Sequence, residues 1–155
     1  AVSGAGRQTY RIARGDAEGR EALWRERVAA EDMLIQPFAP AIVERGEVSL
    51  VVIDGEATHA VRKVAAAGEF RVQDDHGGTV HDHAPSTIER ERAERAIEAA
   101  VTRTGRTIAY ARVDLVDTPT GPSVMELELI EPELFLRLRP AAARRLAQAL
   151  LARLA

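Results

Sequence analysis

Residues 110–132 read YARVDLVDTPTGPSVMELELIEP, and their alternation predicts two strands joined by a turn over Thr118 to Gly121. Arg112 and Asp114 share one face of the first strand, with Val113 and Leu115 on the other. On the second strand Glu126 and Glu128 point one way, and Met125, Leu127 and Leu129 point toward a core. That turn pairs residues whose numbers sum to about 240, which sets Asp114 opposite Glu126 and Arg112 opposite Glu128. Three carboxylates then crowd one face of the pair. Like charges across a ladder destabilise it, so the trio calls for basic neighbours or a bound cation. Mg²⁺ suits such a wall, because it accepts a few carboxylates and keeps positions for water and nucleotide phosphates. On these residues alone, a solvated face with Arg112 balancing the acids is equally consistent.

Upstream of this pair, Ser86-Thr87-Ile88-Glu89 forms a capping box that opens a helix running to about Arg103. Ile88, Ala93, Ala96, Ile97, Ala100 and Val101 take its inner side, and Gly105 ends it. Before it, FRVQDDHGG at 70–78 has no clear period and is bounded by Gly68 and Gly77-Gly78, a composition suited to a binding loop. Two β-rich runs, Glu47 to Ile53 and Ala57 to Val64, are joined by Asp54-Gly55, a strong hairpin signal. Lys63, Arg62 and Arg71 follow on that hairpin or just after it.

The first 40 residues are more broken. Ser3, Gly4, Ala5 and Gly6 make a loop whose backbone N–H groups are open to a phosphate, although no Gly-Lys-Ser/Thr follows as in a Walker A loop. Asp16 is placed to cap a helix to about Ala30 carrying Leu23, Trp24 and Val28. Met33 to Gln36 reads as a short strand, broken by Pro37-Phe38-Ala39-Pro40 into a hinge. Downstream of the organising strands, Pro140 suits the first turn of a final helix with an apolar stripe of Leu146, Leu150, Leu151 and Leu154.

Composition narrows the function. The 155 residues suffice for one or two compact units with a real core. A net charge of −3 with interspersed signs lacks the basic footprint of a nucleic-acid binder, so nucleic acid is not an expected partner. There is no cysteine, hence no disulfide framework, thiol nucleophile or cysteine zinc site, and a cytoplasmic setting is expected. His81 and His83 share a strand parity, yet no third ligand stands at a zinc-like spacing. No apolar run reaches the roughly 20 residues needed to span a bilayer, so no membrane is expected either. The chain lacks an initiator Met and opens inside a glycine-rich stretch, as if cut from a longer polypeptide.

In order and spacing these features resemble the ATP-grasp superfamily, in particular its prokaryotic glutathione synthetase-like carboxylate–amine ligases, over Ala1 to Pro132. That family has an Arg-x-Asn-x-x-x-Gly-Gly run before a helix, then a Val-Asp strand, then Glu-x-Asn. The matching residues here are Arg71, Gln73, Gly77, Gly78, Asp114, Glu126 and Glu128, and the interval from Asp114 to Glu126 is 12. The resemblance implies an α+β fold, the C-terminal portion of an ATP-grasp unit with a mainly antiparallel sheet flanked by helices. Residues 1–36 would be a fragment of the small subdomain, and 37–155 the C-terminal subdomain with the metal site. It implies that Asp114, Glu126 and Glu128 hold Mg²⁺, or Mn²⁺ in its place, against ATP. Ser3 to Gly6 would lie over the phosphates, Gln36-Pro37-Phe38 would meet adenine, and Glu47 would lie near the ribose. Lys63, Arg71 and Gln73 would be catalytic, with Lys63 and Arg71 facing the transferred phosphate and the acyl phosphate. Gln73 and Glu128 depart from the Asn of many relatives, and Ser49 replaces a basic residue of the glutathione synthetases.

The activity implied is ADP-forming ligation of a small-molecule carboxylate to an amine, or a cyclo-ligation of the cycloserine type, with an upstream part of the polypeptide missing and a homo-oligomer left open. A non-catalytic nucleotide-binding or interaction domain on the same scaffold is the alternative, and a metal-dependent hydrolase using the same acids is a third.

Overall fold

The computed structural model describes residues 8–154, so the Ser3–Gly6 stretch lies outside the described residues. The chain divides into two compact units, Ala1–Phe38 and Ala39–Ala155. In the first, single 3-10 turns at Arg14–Asp16 and Glu18–Arg20 lead into α1, Glu21–Ala30. Asp16 therefore does not cap the helix: it lies inside a 3-10 turn between Gly15 and Gly19, and regular helix begins only at Glu21. The expected strand at Met33 to Gln36 is absent as well. No strand pairs with it among the described residues, and Leu34 and Ile35 stand 96% and 78% exposed. A strand without a partner leaves its ladder groups to solvent, so the apolar run alone does not fix one. The Arg11 guanidinium lies over the Phe38 ring, 3.8 Å from its centroid.

The second unit is built on a five-stranded sheet, β3-β2-β1-β4-β5, with every neighbouring pair antiparallel. Its strands are β1 Glu47–Ile53, β2 Glu56–Val64, β3 Thr79–His83, β4 Tyr110–Thr118 and β5 Gly121–Glu128. A short helix α2, Ala41–Glu44, precedes β1, α3 spans Thr87–Thr104, and α4 spans Pro140–Leu151. The α+β reading with a mainly antiparallel sheet is borne out. Asp54 and Gly55 turn the β1–β2 hairpin with φ of 53° and 76°, the paired positive values of a type I′ turn. Ser86 and Glu89 make the reciprocal capping box of α3, and Gly105 ends the helix in the left-handed region at φ 65°.

Alternation along β1 decides where each layer sits. Val48, Leu50 and Val52 face α3 and join Ala60, Ala93, Ile97, Ala111, Val113 and Leu115 in one core. Val51 and Ile53 face the other way, into a second core with Val61, Leu134, Phe135, Ala142 and Ala149 from β2, the segment after β5 and α4. The final helix thus buries Ala142 and Ala149 and packs Leu146 against this core, while Leu150, Leu151 and Leu154 of the expected stripe remain exposed. Glu47 and Ser49 share the parity of Val51 and Ile53. One face of the sheet therefore carries an apolar half covered by α4 and a charged half beside it.

The β4–β5 pairing holds a feature that simple alternation misses. The turn pairs Thr118 with Gly121 and Leu115 with Val124, sums of 239, but Asp114 pairs with Glu126 and Arg112 with Glu128, sums of 240. A bulge at Met125 supplies the extra residue, and through it Glu126 and Glu128 reach the Asp114 face.

Candidate functional site

Six ionisable residues meet on the charged half of that face. On β1 and β2, Glu47 lies opposite Lys63; on β1 and β4, Ser49 lies opposite Asp114. Gly46 makes the entry to β1 possible: its φ is +81°, and a Cβ there would lie 2.2 Å from the Lys63 carbonyl oxygen. Lys63 is buried, ion-paired to Glu47, and its Nζ donates to Asp114 Oδ2 at 3.2 Å. Arg112 grips the same carboxylate from the other side. Its Nε donates to Oδ1 at 2.9 Å, its Nη2 to Oδ2 at 2.8 Å, and Nη2 also pairs with Glu128. Asp114 itself is 0% exposed.

The electrostatics follow from this crowding. Burial alone would raise the Asp114 carboxyl, but the Lys63 charge and the Arg112 hydrogen bonds hold it below the usual carboxylate range. Burial, with the Asp114 charge beside it, pushes Glu47 up to about 7 against the pull of Lys63. Glu126, exposed at the open edge, is raised by desolvation of its carboxyl and by its neighbours Glu128 and Asp114. Four carboxylates against two cations leave a formal charge of −2 on the cluster.

That excess sits where a divalent cation fits. Oxygens of Asp114, Glu126 and Glu128 lie within 4.8 Å of one another, and among the described residues no other three His, Asp or Glu come so close. An all-carboxylate donor set matches Mg²⁺ or Mn²⁺ better than a softer metal. The Ser49 hydroxyl is fully buried beside Asp114 and adds slightly to holding that carboxyl down, yet it meets no partner at hydrogen-bond geometry.

Of the other sequence-predicted residues, Arg71 pairs with Glu69 at 2.6 Å rather than with the cluster. Gln73 precedes a 3-10 turn at Asp74–His76, with its Oε1 buried and unpartnered. Gly77 and Gly78 close that loop, and a Cβ on Gly78 would lie 2.1 Å from the Val72 carbonyl oxygen. Gln36 and Pro37 are exposed and belong, with Phe38, to the first unit. His81 bonds Thr79 and His83 bonds Glu89, so the two imidazoles have separate partners. Sequence reasoning treated Arg112 only as a balancing charge; its position two residues before Asp114 on the same face was the available signal.

Residues 14–134 match the RimK-like ATP-grasp domain. The chain belongs to that family. This ATP-grasp chain is 35% identical over 133 residues to the cycloserine biosynthesis protein DcsG of Streptomyces lavendulae, covering 79% of the chain and 42% of that protein. The crystal structure of the D-cycloserine synthetase DcsG superposes with a TM-score of 0.67 at 34% identity, over 77% of this ATP-grasp chain and 42% of that one. A D-alanine–D-alanine ligase from Bacillus anthracis, complexed with ATP, shares the fold at a TM-score of 0.53 and 17% identity, over 87% of this chain and 44% of its own. The ATP-grasp chain thus spans well under half the length of these relatives.

Proposed function

We propose that the polypeptide carrying this chain is an ATP-dependent, ADP-forming carboxylate–amine ligase or cyclo-ligase that acts through an acyl phosphate. The observation that supports it is the convergence of Asp114, Glu126 and Glu128 with Lys63 and Arg112 on the charged half of one sheet face. Transfer of a phosphoryl group needs positioning and compensation of charge spread over several oxygens, and this cluster carries both signs in fixed places. Asp114, Glu126 and Glu128 would hold Mg²⁺ or Mn²⁺, which when bound neutralises charge on the ATP phosphates. Lys63 lies between Glu47 and Asp114, and with Arg112 it holds the Asp114 carboxyl below its usual range. Lys63 and Arg71 are proposed to face the transferred phosphate and the acyl phosphate, and Gln73 on the glycine-bounded loop is proposed as a further catalytic residue. Ser3–Gly6, Gln36-Pro37-Phe38 and Glu47 are proposed to meet phosphates, adenine and ribose respectively.

In this reading residues 1–36 belong to the small ATP-grasp subdomain and 37–155 to the C-terminal one. Amino-acid-derived carboxylates and amines are the proposed substrates, in keeping with the cycloserine relatives, and the cytoplasm, where ATP is supplied, is the proposed setting. No helix among the described residues is long and apolar enough to cross a membrane.

The test uses the whole polypeptide that carries these residues, with ATP, Mg²⁺ and pooled amino acids. ADP release that depends on an added acceptor is expected. ATP binding with no ADP release on any pool would favour a non-catalytic nucleotide-binding domain, and phosphate release without an acceptor would favour a hydrolase.

A further inference from the structure

The guanidinium of Arg112 lies where it engages two of the three carboxylates at once. It holds both oxygens of Asp114 and, through Nη2, one oxygen of Glu128. Glu126, the third member, has no such contact with it and stands at the exposed edge. A planar fork satisfies carboxylates in this way without the desolvation a compact cation demands, so Arg112 is a built-in occupant of the acid cluster. We propose that Arg112 is a placeholder cation: it neutralises the acids before a divalent ion arrives, and the ion binds only as Arg112 releases Glu128. Arg112 then acts as a positioning residue that sets the cation threshold of the site. This inference rests on the metal reading given above and goes beyond it.

The geometry separates two roles that charge alone would confuse. Lys63 also touches Asp114, but its other partner is Glu47, so it leaves Glu126 and Glu128 free. Among the described residues Arg112 alone ties Asp114 on β4 to Glu128 on β5, and releasing that tie frees Glu128 for the ion. A lysine at position 112 would keep the charge and lose the fork.

The experiment is titration of the nucleotide-free polypeptide with Mn²⁺ alone, followed by calorimetry or by the electron paramagnetic resonance signal of free Mn²⁺. Arg112→Lys and Arg112→Met are expected to bind Mn²⁺ roughly two- to fivefold tighter than wild type, the upper part of the range a partly exposed ion pair supplies. Equal or weaker binding by Arg112→Lys overturns the placeholder role. Glu126→Gln with Glu128→Gln tells the two readings apart: if that double variant weakens Mn²⁺ binding while Arg112→Lys leaves it unchanged, the metal site stands and this inference fails. If the double variant binds as wild type does, the metal reading fails first. A second readout needs no substitution. In the wild type, the Arg112 Nε–H resonance should move as Mg²⁺ is added, and a resonance unmoved at saturating Mg²⁺ also overturns the proposal.

Discussion

Replacing Lys63 by Met tests whether the buried charges form one interdependent set. Lys63 is 6% exposed and lies between Glu47, 7% exposed, and Asp114, 0% exposed. Met keeps an unbranched apolar stem of similar length, so the change removes mainly the ammonium. Asp114 retains the Arg112 fork, whereas Glu47 loses its cation. Removing one partner of a buried pair costs about 3–5 kcal/mol. The low end applies, because the Glu47 carboxyl already sits at about 7 and can take up a proton once Lys63 is gone. A loss of about 3 kcal/mol corresponds to a fall in Tm of about 6–12 °C for a chain of this size. Urea denaturation in EDTA near neutral pH, with differential scanning calorimetry, reads both quantities. Adding Glu47→Gln to Lys63→Met removes the orphaned charge and should recover about 1 kcal/mol or more. A loss for Lys63→Met below about 1 kcal/mol, or no recovery in the double variant, would refute the reasoning.

Further expectations follow from other parts of the same unit. Glu126→Gln should lower Mg²⁺-dependent turnover by about tenfold or more, a loss typical of a weakened metal site, yet leave metal-free stability unchanged or higher, since it removes a raised, repelled carboxyl. Gly46→Ala should lower stability by about 2–4 kcal/mol in urea unfolding, because it combines a left-handed backbone with overlap on the Lys63 carbonyl oxygen; an unchanged midpoint would contradict that packing. Glu89 is held below its usual value because, although burial raises it, the Ser86 amide and hydroxyl and the His83 ring outweigh that effect. Its contribution is therefore fully present above the ordinary Glu pKa and is lost as pH falls through the lowered folded value. Stability curves of wild type and Glu89→Gln, well apart at neutral pH, should draw together in acid; a constant gap would show that the charge of Glu89 is not what the capping box uses.

Local chemistry carried much of the fold into the sequence. Asp54-Gly55 supplied both positive φ values of its turn, Ser86 and Glu89 both halves of a capping box, and Pro140 the first turn of α4. What depended on partners was harder to read. The Met33–Gln36 run looked like a strand by composition, but pairing is a property of neighbours and none pairs with it among the described residues. The strand Thr79–His83 shows little in sequence beyond the shared parity of His81 and His83, because its residues are mostly polar and its order comes from pairing with β2. In the site, the acid trio was legible from strand parity, although its register holds only because Met125 bulges out. The buried Glu47–Lys63–Asp114–Arg112 chain was not legible, because Lys63 reaches Asp114 across β1, and strand order is not written in local alternation.

The central claim is that this sheet face binds ATP through a divalent cation held by Asp114, Glu126 and Glu128. The most direct measurement is the affinity of the whole polypeptide for ATP, by calorimetry, with Mg²⁺ and with EDTA, in wild type and in Glu126→Gln/Glu128→Gln. The account predicts that Mg²⁺ tightens ATP binding by about tenfold or more in wild type, and that the double variant loses that gain. A double variant whose Mg²⁺-dependent ATP affinity equals that of the wild type would contradict it.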